Sequence, residues 1–387
     1  MGEILDPNDP VRGNRGLLID FRRDLHRHPE LSWAEHRTTA LLRDRLVALG
    51  LEPRTLPNRT GLICDVGDGT PEVLLRADID ALGVSDEKDV PYRSTVPGVA
   101  HACGHDVHTT VLYGVALALA GRERLDSAVR LVFQPAEEVM PGGARAMLEA
   151  GELDGVRAAY ALHCDPNLPV GKVGLRSGPI TAACDRLLVQ LTGPGGHTAR
   201  PHLTADLVYA LAKIAADVPA SLGRRLDPRS GVSLVWGRVS AGSAPNIIPQ
   251  EGELEGIVRA LDHQTWQRAP ELIEELVSAI ASAHCVKYTT TYHRGVPPVV
   301  NHPEHTERLR EAALVALGPG SVVTTEQSLG GEDFGWYLDA VPGAMARLGV
   351  RGPEKTRVPD LHQGGFDVDE RCIEAGVRLL LETVCPS

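Results

Sequence analysis

The sequence lacks any long apolar run. The longest, around Val115–Ala120, is about ten residues, and roughly 18 or more are needed to cross a bilayer. The start, Met1-Gly2-Glu3-Ile4-Leu5-Asp6, lacks the basic and apolar regions of a signal peptide, so a cytoplasmic protein with no membrane partner is expected. An excess of cations is also missing. Lys and Arg total 39 against 51 Asp and Glu, net −12, with no basic stripe, which disfavours nucleic acid as a partner. The seven cysteines are odd in number and scattered, which disfavours a disulfide framework and favours reduced thiols, one of which could ligate a metal. No repeat, low-complexity tract or long linker is visible.

What is present suits a folded protein of two or three domains: 387 residues, 43% hydrophobic and 23% charged. Ser32 and Glu35 form an S-x-x-E capping box that predicts a helix carrying Leu41, Leu42, Leu46 and Leu49 and stopping at Gly50. Apolar runs at 73–79, 129–133 and 158–162 read as buried strands. Helix-like segments at 107–120 and 144–150 separate them, which is the α/β signature. From about residue 181 the pattern changes. Strands at 187–192, 232–239, 253–260 and 287–292 and helices at 204–222 and 265–283 give a β-α-β-β-α-β order, up to Pro297-Pro298. The expected architecture is therefore an α/β domain, residues 1–180 and 296–387, with a mixed, mostly parallel sheet flanked by helices. An α+β domain, residues 181–295, is inserted into it.

Chemistry concentrates at the predicted strand ends. His101-Ala102-Cys103-Gly104-His105-Asp106-Val107-His108 places three imidazoles, a thiol and a carboxylate within eight residues before a helix. Thiolate and imidazole together favour zinc or a similar transition metal, whereas the bland alternative is a His-rich surface turn. Glu137 and Glu138 follow the strand 129–133, where one carboxylate can bind metal and the other act as a base, or both can be an exposed acidic pair. His163 closes the strand 158–162. Asp78 and Asp80, at i and i+2 on a buried strand, are costly unless paired, and holding a ligating imidazole would account for one. His362 reads as a loop residue.

Together these stretches resemble the cocatalytic metallopeptidase family of aminoacylases and carboxypeptidases. The likeness is to its amidohydrolase branch of N-acyl-amino-acid, hippurate and indole-acetyl-amino-acid hydrolases. It rests on Asp24-Leu25-His26-Arg27-His28-Pro29-Glu30-Leu31, Arg76-Ala77-Asp78-Ile79-Asp80-Ala81-Leu82, His101 to Asp106 and Gln134 to Glu138. It continues through Gly195 to His202, Pro245-Asn246-Ile247-Ile248-Pro249 and Gly331-Glu332-Asp333-Phe334. The resemblance implies a zinc-exopeptidase-like catalytic domain with an inserted dimerisation or lid domain. It implies two divalent ions per subunit (Zn, Mn, Co or Ni) held by Cys103, His105, Glu138, His163 and His362. It also implies Glu137 as general base, Asp80 as the acid behind the site and His197 as oxyanion stabiliser, often in the other subunit's site. Asn246 and Arg259 would bind substrate. The implied reaction is hydrolysis of an N-acyl amino acid by a homodimer or dimer of dimers. A dipeptidase or carboxypeptidase on the same scaffold and a non-catalytic metal-binding protein are the rivals. Ala100 and Ala344-Met345-Ala346-Arg347 depart from the branch pattern, and the expectation is that they reshape the substrate pocket.

Overall fold

The computed structural model describes residues 10–386 except Glu123, Thr356 and Arg357. They divide into two compact units. The first runs to Gly178 and resumes over Val300–Glu326 and from Asp333 onward; the second is Pro179–Val299 with Gln327–Glu332.

In the first unit the chain lays down helices α1 (Arg15–Arg27) and α2 (His36–Ala48), then strands β1 (Arg54–Thr55), β2 (Leu62–Val66) and β3 (Val73–Asp78). Helix α3 (His105–Ala120), strand β4 (Val129–Gln134), helix α4 (Gly143–Glu149) and strands β5 (Ala158–Pro169) and β6 (Val173–Leu175) follow. The second unit contributes β7 (Ala183–Thr192), α5 (Leu207–Arg225), β8 (Ser233–Ala241), β9 (Glu251–Ala260), α6 (His263–Ala283) and β10 (Lys287–Val296). The chain then returns with α7 (Pro303–Leu317), β11 (Val322–Thr324), α8 (Gly335–Ala340), β12 (Gly343–Arg351) and α9 (Arg371–Val384).

The large sheet has the order β1-β2-β4-β3-β5-β12-β6-β11. Its central strands β4, β3, β5 and β12 run parallel. Their near-continuous apolar sequences are what a sheet covered on both faces requires. Helix α3 is buried from His105 to Leu119, so its sequence shows no polar stripe. Register aligns the chemistry: Asp78 pairs with Gln134 at the ends of β3 and β4, and Arg76 pairs with Ala161, two residues before His163. Strand β5 runs on to Pro169, so His163 lies inside it and does not close it, because pairing with β12 continues past His163 opposite Arg347. Ala344 and Ala346 pack in the core of this unit, and Ala100 is fully buried. Arg347, the last residue of that stretch, stands opposite His163 in the register.

In the second unit an antiparallel sheet, β8-β9-β7-β10, turns Leu187, Val189 and Leu191 toward apolar residues of α5 and α6. Its buried Asp185 accepts from Trp266 Nε1 at 2.7 Å, Tyr292 Oη at 2.8 Å and the Gly295 amide at 2.8 Å. Among the described residues no helix is long and apolar enough to cross a membrane.

The capping box is not formed. Glu35 occupies the N-cap of α2 without a side-chain cap, and the Glu30 carboxylate instead accepts the Arg37 and Thr38 amides at 2.8 and 2.7 Å. Both orphan donors are satisfied from one turn earlier, which leaves Ser32 and Glu35 available for other partners.

Arg22 and Asp106 pair at 2.7 Å, each at most 1% exposed, and His26 Nδ1 lies 2.7 Å from the same carboxylate. Burial pushes Asp106 upward, but the Arg22 and His26 charges outweigh it and hold the carboxyl well below its ordinary value. A carboxyl depressed in this way contributes stability above its unfolded pKa, about 4, which is lost as pH falls toward the folded value. Arg22→Met leaves Asp106 buried beside a smaller counter-charge. It is expected to cost about 3–5 kcal/mol at pH 7 in urea unfolding, and to weaken the loss of stability expected of wild type on acidification below about pH 4.

Candidate metal centre

Gly104, between Cys103 and α3, has φ +87°, and a Cβ there would lie 2.7 Å from Cys164 Sγ. Only glycine fits both the left-handed backbone and the close approach. This turn points Cys103 and the first residue of α3, His105, into one space, so the helix begins two residues earlier than the apolar pattern suggests.

The imidazoles have defined roles because carbonyls only accept. His163 Nδ1 lies 2.8 Å from the Cys164 carbonyl oxygen and donates to it, which leaves Nε2 as a lone pair 3.6 Å from Cys103 Sγ. His105 Nδ1 donates to the Asp80 carbonyl oxygen at 3.0 Å, with Asp80 Oδ1 at 3.2 Å. Its Nε2 is buried without a hydrogen-bond partner, 3.7 Å from Glu138 Oε1 and 3.9 Å from Glu137 Oε2. Glu138 Oε1 is also buried without a partner, and His362 Nε2 lies 3.5 Å from it. His362 is held by its amide, which donates to the Ala102 carbonyl oxygen at 2.8 Å.

Two orphaned buried atoms facing each other would each cost desolvation energy if nothing else met them. A cation removes that cost. Cys103, His105 and His163 bring their donor atoms within 4.8 Å of one another, and so do Cys103, Glu138 and His362. Ligand bonds of about 2.0–2.3 Å place tetrahedral donors roughly 3.3–3.8 Å apart, close to the separations here. Cys103 belongs to both groups, the residues fit divalent cations, and the S/N/O donor set suits zinc or a neighbouring transition metal.

Electrostatics agree. Burial and the Glu138 charge push the Cys103 thiol well above its usual range. Burial pulls His105 down, but Asp78 and the Asp80 hydrogen bond outweigh it and hold the ring well above its ordinary value. Burial raises Glu138, and His105 and His362 oppose that. Divalent ions would displace the protons that these shifts retain.

Further support comes from a set of buried partners. His108 Nε2 accepts the Cys164 amide at 2.8 Å, so its Nδ1 carries the proton and donates to Asp78 Oδ1 at 2.6 Å. Arg76 bridges Asp78 and Asp333, at 2.7 Å each. Both nitrogens of His108 are thus engaged, and it orients the β5 segment that carries His163. Of the three imidazoles in the cluster, His105 is thereby a ligand candidate, His108 is a scaffold residue and His101 is buried with neither nitrogen hydrogen-bonded, a division that the spacing alone does not reveal.

His197 and Asn246 lie in the second unit. His197 forms a short antiparallel pair with Ile247, and the Asn246 carbonyl oxygen accepts the Thr198 amide at 3.2 Å. The exposed His197 ring accepts the Ala199 amide at Nδ1, 3.0 Å away, so its Nε2 carries a proton. Arg259, on β9 of the same unit, donates to the Leu329 carbonyl oxygen. The seven catalytic and metal candidates other than His197 therefore lie in one unit, and His197, Asn246 and Arg259 lie in the other.

Because only the thiolate ligates metal and it is oxidisable, Cys103→Ser should lower the metal content measured by elemental analysis. Peroxide should release metal from wild type, while replacement of the exposed Cys285 should change neither result.

Comparison with known proteins agrees with this geometry. Residues 74–385 match the model of peptidase family M20/M25/M40. A Rhodococcus jostii protein named "Putative glutamate--cysteine ligase 2-3" is 51% identical over 94% of this chain, which spans 46% of that protein's length. A Bacillus subtilis N-acetyl-L-cysteine deacetylase is 36% identical over 95% of this chain and 87% of its own. A Bacillus subtilis structure described as a dinuclear metal binding peptidase from the M20 family superposes with a TM-score of 0.84 at 34% identity, covering 96% of this chain and 98% of that one. The chain belongs to peptidase family M20/M25/M40, as a metal-dependent amidohydrolase.

Proposed function

We infer that this enzyme hydrolyses the amide bond of N-acyl amino acids, releasing a carboxylic acid and a free amino acid. The observation that carries this reading is the adjacent pair at the end of β4. Glu138 turns a buried, unpartnered oxygen toward His105 and His362, while Glu137 is the neighbouring carboxylate at the same centre. A protein that only binds metal has no need of that second carboxylate.

Cys103, His105 and His163 would hold one ion, and Cys103, Glu138 and His362 the other. Bound ions supply Lewis acidity that polarises the carbonyl and activates water. Glu137 takes the proton from the attacking water and delivers it to the departing nitrogen, so the amine leaves neutral. Asp80 keeps the His105 ring oriented. The Nε2 proton of His197 is available to the oxyanion that develops on the carbonyl oxygen. Asn246 and Arg259 are assigned to the carboxylate of the amino acid. The ions are drawn from zinc, manganese, cobalt and nickel.

A short acyl group is supported by the two Bacillus subtilis relatives named as N-acetylcysteine deacetylases, 36% identical each. Cleavage of peptides is the second reading, supported by a Saccharolobus solfataricus relative named thermostable carboxypeptidase 2, 35% identical over 93% of this chain. N-acetyl and N-benzoyl amino acids assayed beside dipeptides, with and without chelator, separate the two. The odd number and scattered spacing of the cysteines support a reducing compartment such as the cytoplasm.

Glu137→Gln should retain both ions and substrate binding but lose about 10²–10⁴-fold in kcat, whereas Glu138→Gln should lose metal. Metal analysis with steady-state kinetics distinguishes them. His197 resides in a unit without ligands, and we assign it to the site of a neighbouring copy within a homodimer, itself able to pair further, built through residues 181–295. Glu137→Gln and His197→Ala homodimers should each be nearly inactive. Mixed and refolded, they should recover up to about a quarter of wild-type activity through heterodimers with one intact site. No recovery despite demonstrated heterodimers would leave His197 acting in its own chain's site or not at all.

A further inference from the structure

The S-x-x-E stretch that fails to cap helix α2 has a different use. Ser32 Oγ donates to Asp80 Oδ2 at 2.7 Å. Glu35, fully buried, accepts the Ala136 amide at Oε1, 2.8 Å, and the Thr60 hydroxyl at Oε2, 2.5 Å. Asp80 Oδ2 in turn accepts the Glu138 amide at 3.0 Å. The amides on either side of Glu137 are therefore both held by buried carboxylates, one from Glu35 and one from Asp80.

The loop between them is not relaxed. Ala136 has φ +54°, a left-handed conformation that is unfavourable for a non-glycine residue and persists only when its surroundings over-determine it. Its carbonyl oxygen accepts the Gly143 amide at 2.9 Å, and a Cβ on Gly143 would sit 1.8 Å from the Pro135 oxygen. The backbone before Glu137 is thus gripped on both faces.

We propose that Glu35 is a positioning residue for the general base. Its carboxyl holds the Ala136 amide and so fixes the left-handed turn from which Glu137 projects, without touching substrate or metal. This rests on the reading of Glu137 as the base. A reacting group misplaced by about 1 Å can cost 10²-fold in rate. Because burial raises the Glu35 carboxyl above its ordinary value, against the Thr60 and Ala136 hydrogen bonds, the neutral amide of glutamine is a close substitute. The requirement is for an acceptor at that distance from the amide.

The test uses the metal-loaded full-length enzyme and three variants, assayed on N-acetyl-L-methionine and on N-acetyl-L-cysteine. Glu35→Ala removes the acceptor, Glu35→Asp withdraws it by one methylene, and Glu35→Gln retains it. Expected are a kcat loss of about 10–100-fold for Ala, a smaller loss for Asp, and near-wild-type kcat for Gln. KM should stay within about twofold and metal stoichiometry should be unchanged, because a positioning residue acts on the chemical step. Hydrogen exchange, read on the peptide spanning residues 133–142, should be faster in Ala and Asp and unchanged in Gln. If Glu35→Ala does not fold, Glu35→Asp alone must show both the kcat loss and the faster exchange. Wild-type kcat per metal-loaded molecule in Asp or Ala overturns the proposal, as does unchanged exchange in both. If wild type turns over neither substrate while exchange follows the Ala, Asp, Gln order, the grip on the loop stands and the N-acyl amino acid reading fails.

Discussion

The site depends on the buried carboxylate of Asp80. One of its oxygens faces the His105 ring and the other accepts the Glu138 amide and the Ser32 hydroxyl. Burial alone would push this acid up, but the His105 hydrogen bond, the Glu138 amide and Ser32 outweigh it and keep it below its ordinary value. A single charge thus fixes a ring at the start of α3 against a loop at the end of β4. Those two elements are 33 residues apart in sequence and carry donors for both halves of the centre. The parallel sheet makes this possible by ending β3 and β4 at the same level.

A second chain of contacts supports His163. Arg76 holds Asp78, Asp78 holds the His108 ring, and that ring accepts the Cys164 amide next to His163. Both chains start from the end of the same strand: Asp78 closes β3 and Asp80 lies two residues beyond it. Buried charges placed so densely cost stability unless each is paired, and here they are paired with one another. Two buried atoms beside these chains, His105 Nε2 and Glu138 Oε1, have no hydrogen-bond partner and lie 3.7 Å apart, a separation that a cation fits.

Much of this was legible in the sequence. The α/β alternation, the inserted α+β pattern and the placing of acids, thiol and imidazoles at strand ends all follow from periodicity and residue chemistry. The limits were local. S-x-x-E before an amphipathic run reads as a capping box because nothing in one dimension shows that Glu30 already fills that role. His105 and His108 look alike on paper, and only tertiary hydrogen bonds give one a free nitrogen and the other none. The length of β5 depends on its pairing with β12, a strand almost two hundred residues later by count, so His163 reads as a strand end. The Arg22–Asp106 pair, 84 residues apart, carries no periodic signal at all.

The central claim is that Cys103 joins the two halves of a dinuclear centre organised by Asp80. Anomalous diffraction from crystals of the metal-loaded enzyme tests it most directly. The account predicts two metal peaks, each within about 2.3 Å of the Cys103 sulfur, one also bonded by His105 and His163 and the other by Glu138 and His362. A single peak, or two peaks with the Cys103 sulfur outside bonding distance of either, would contradict it.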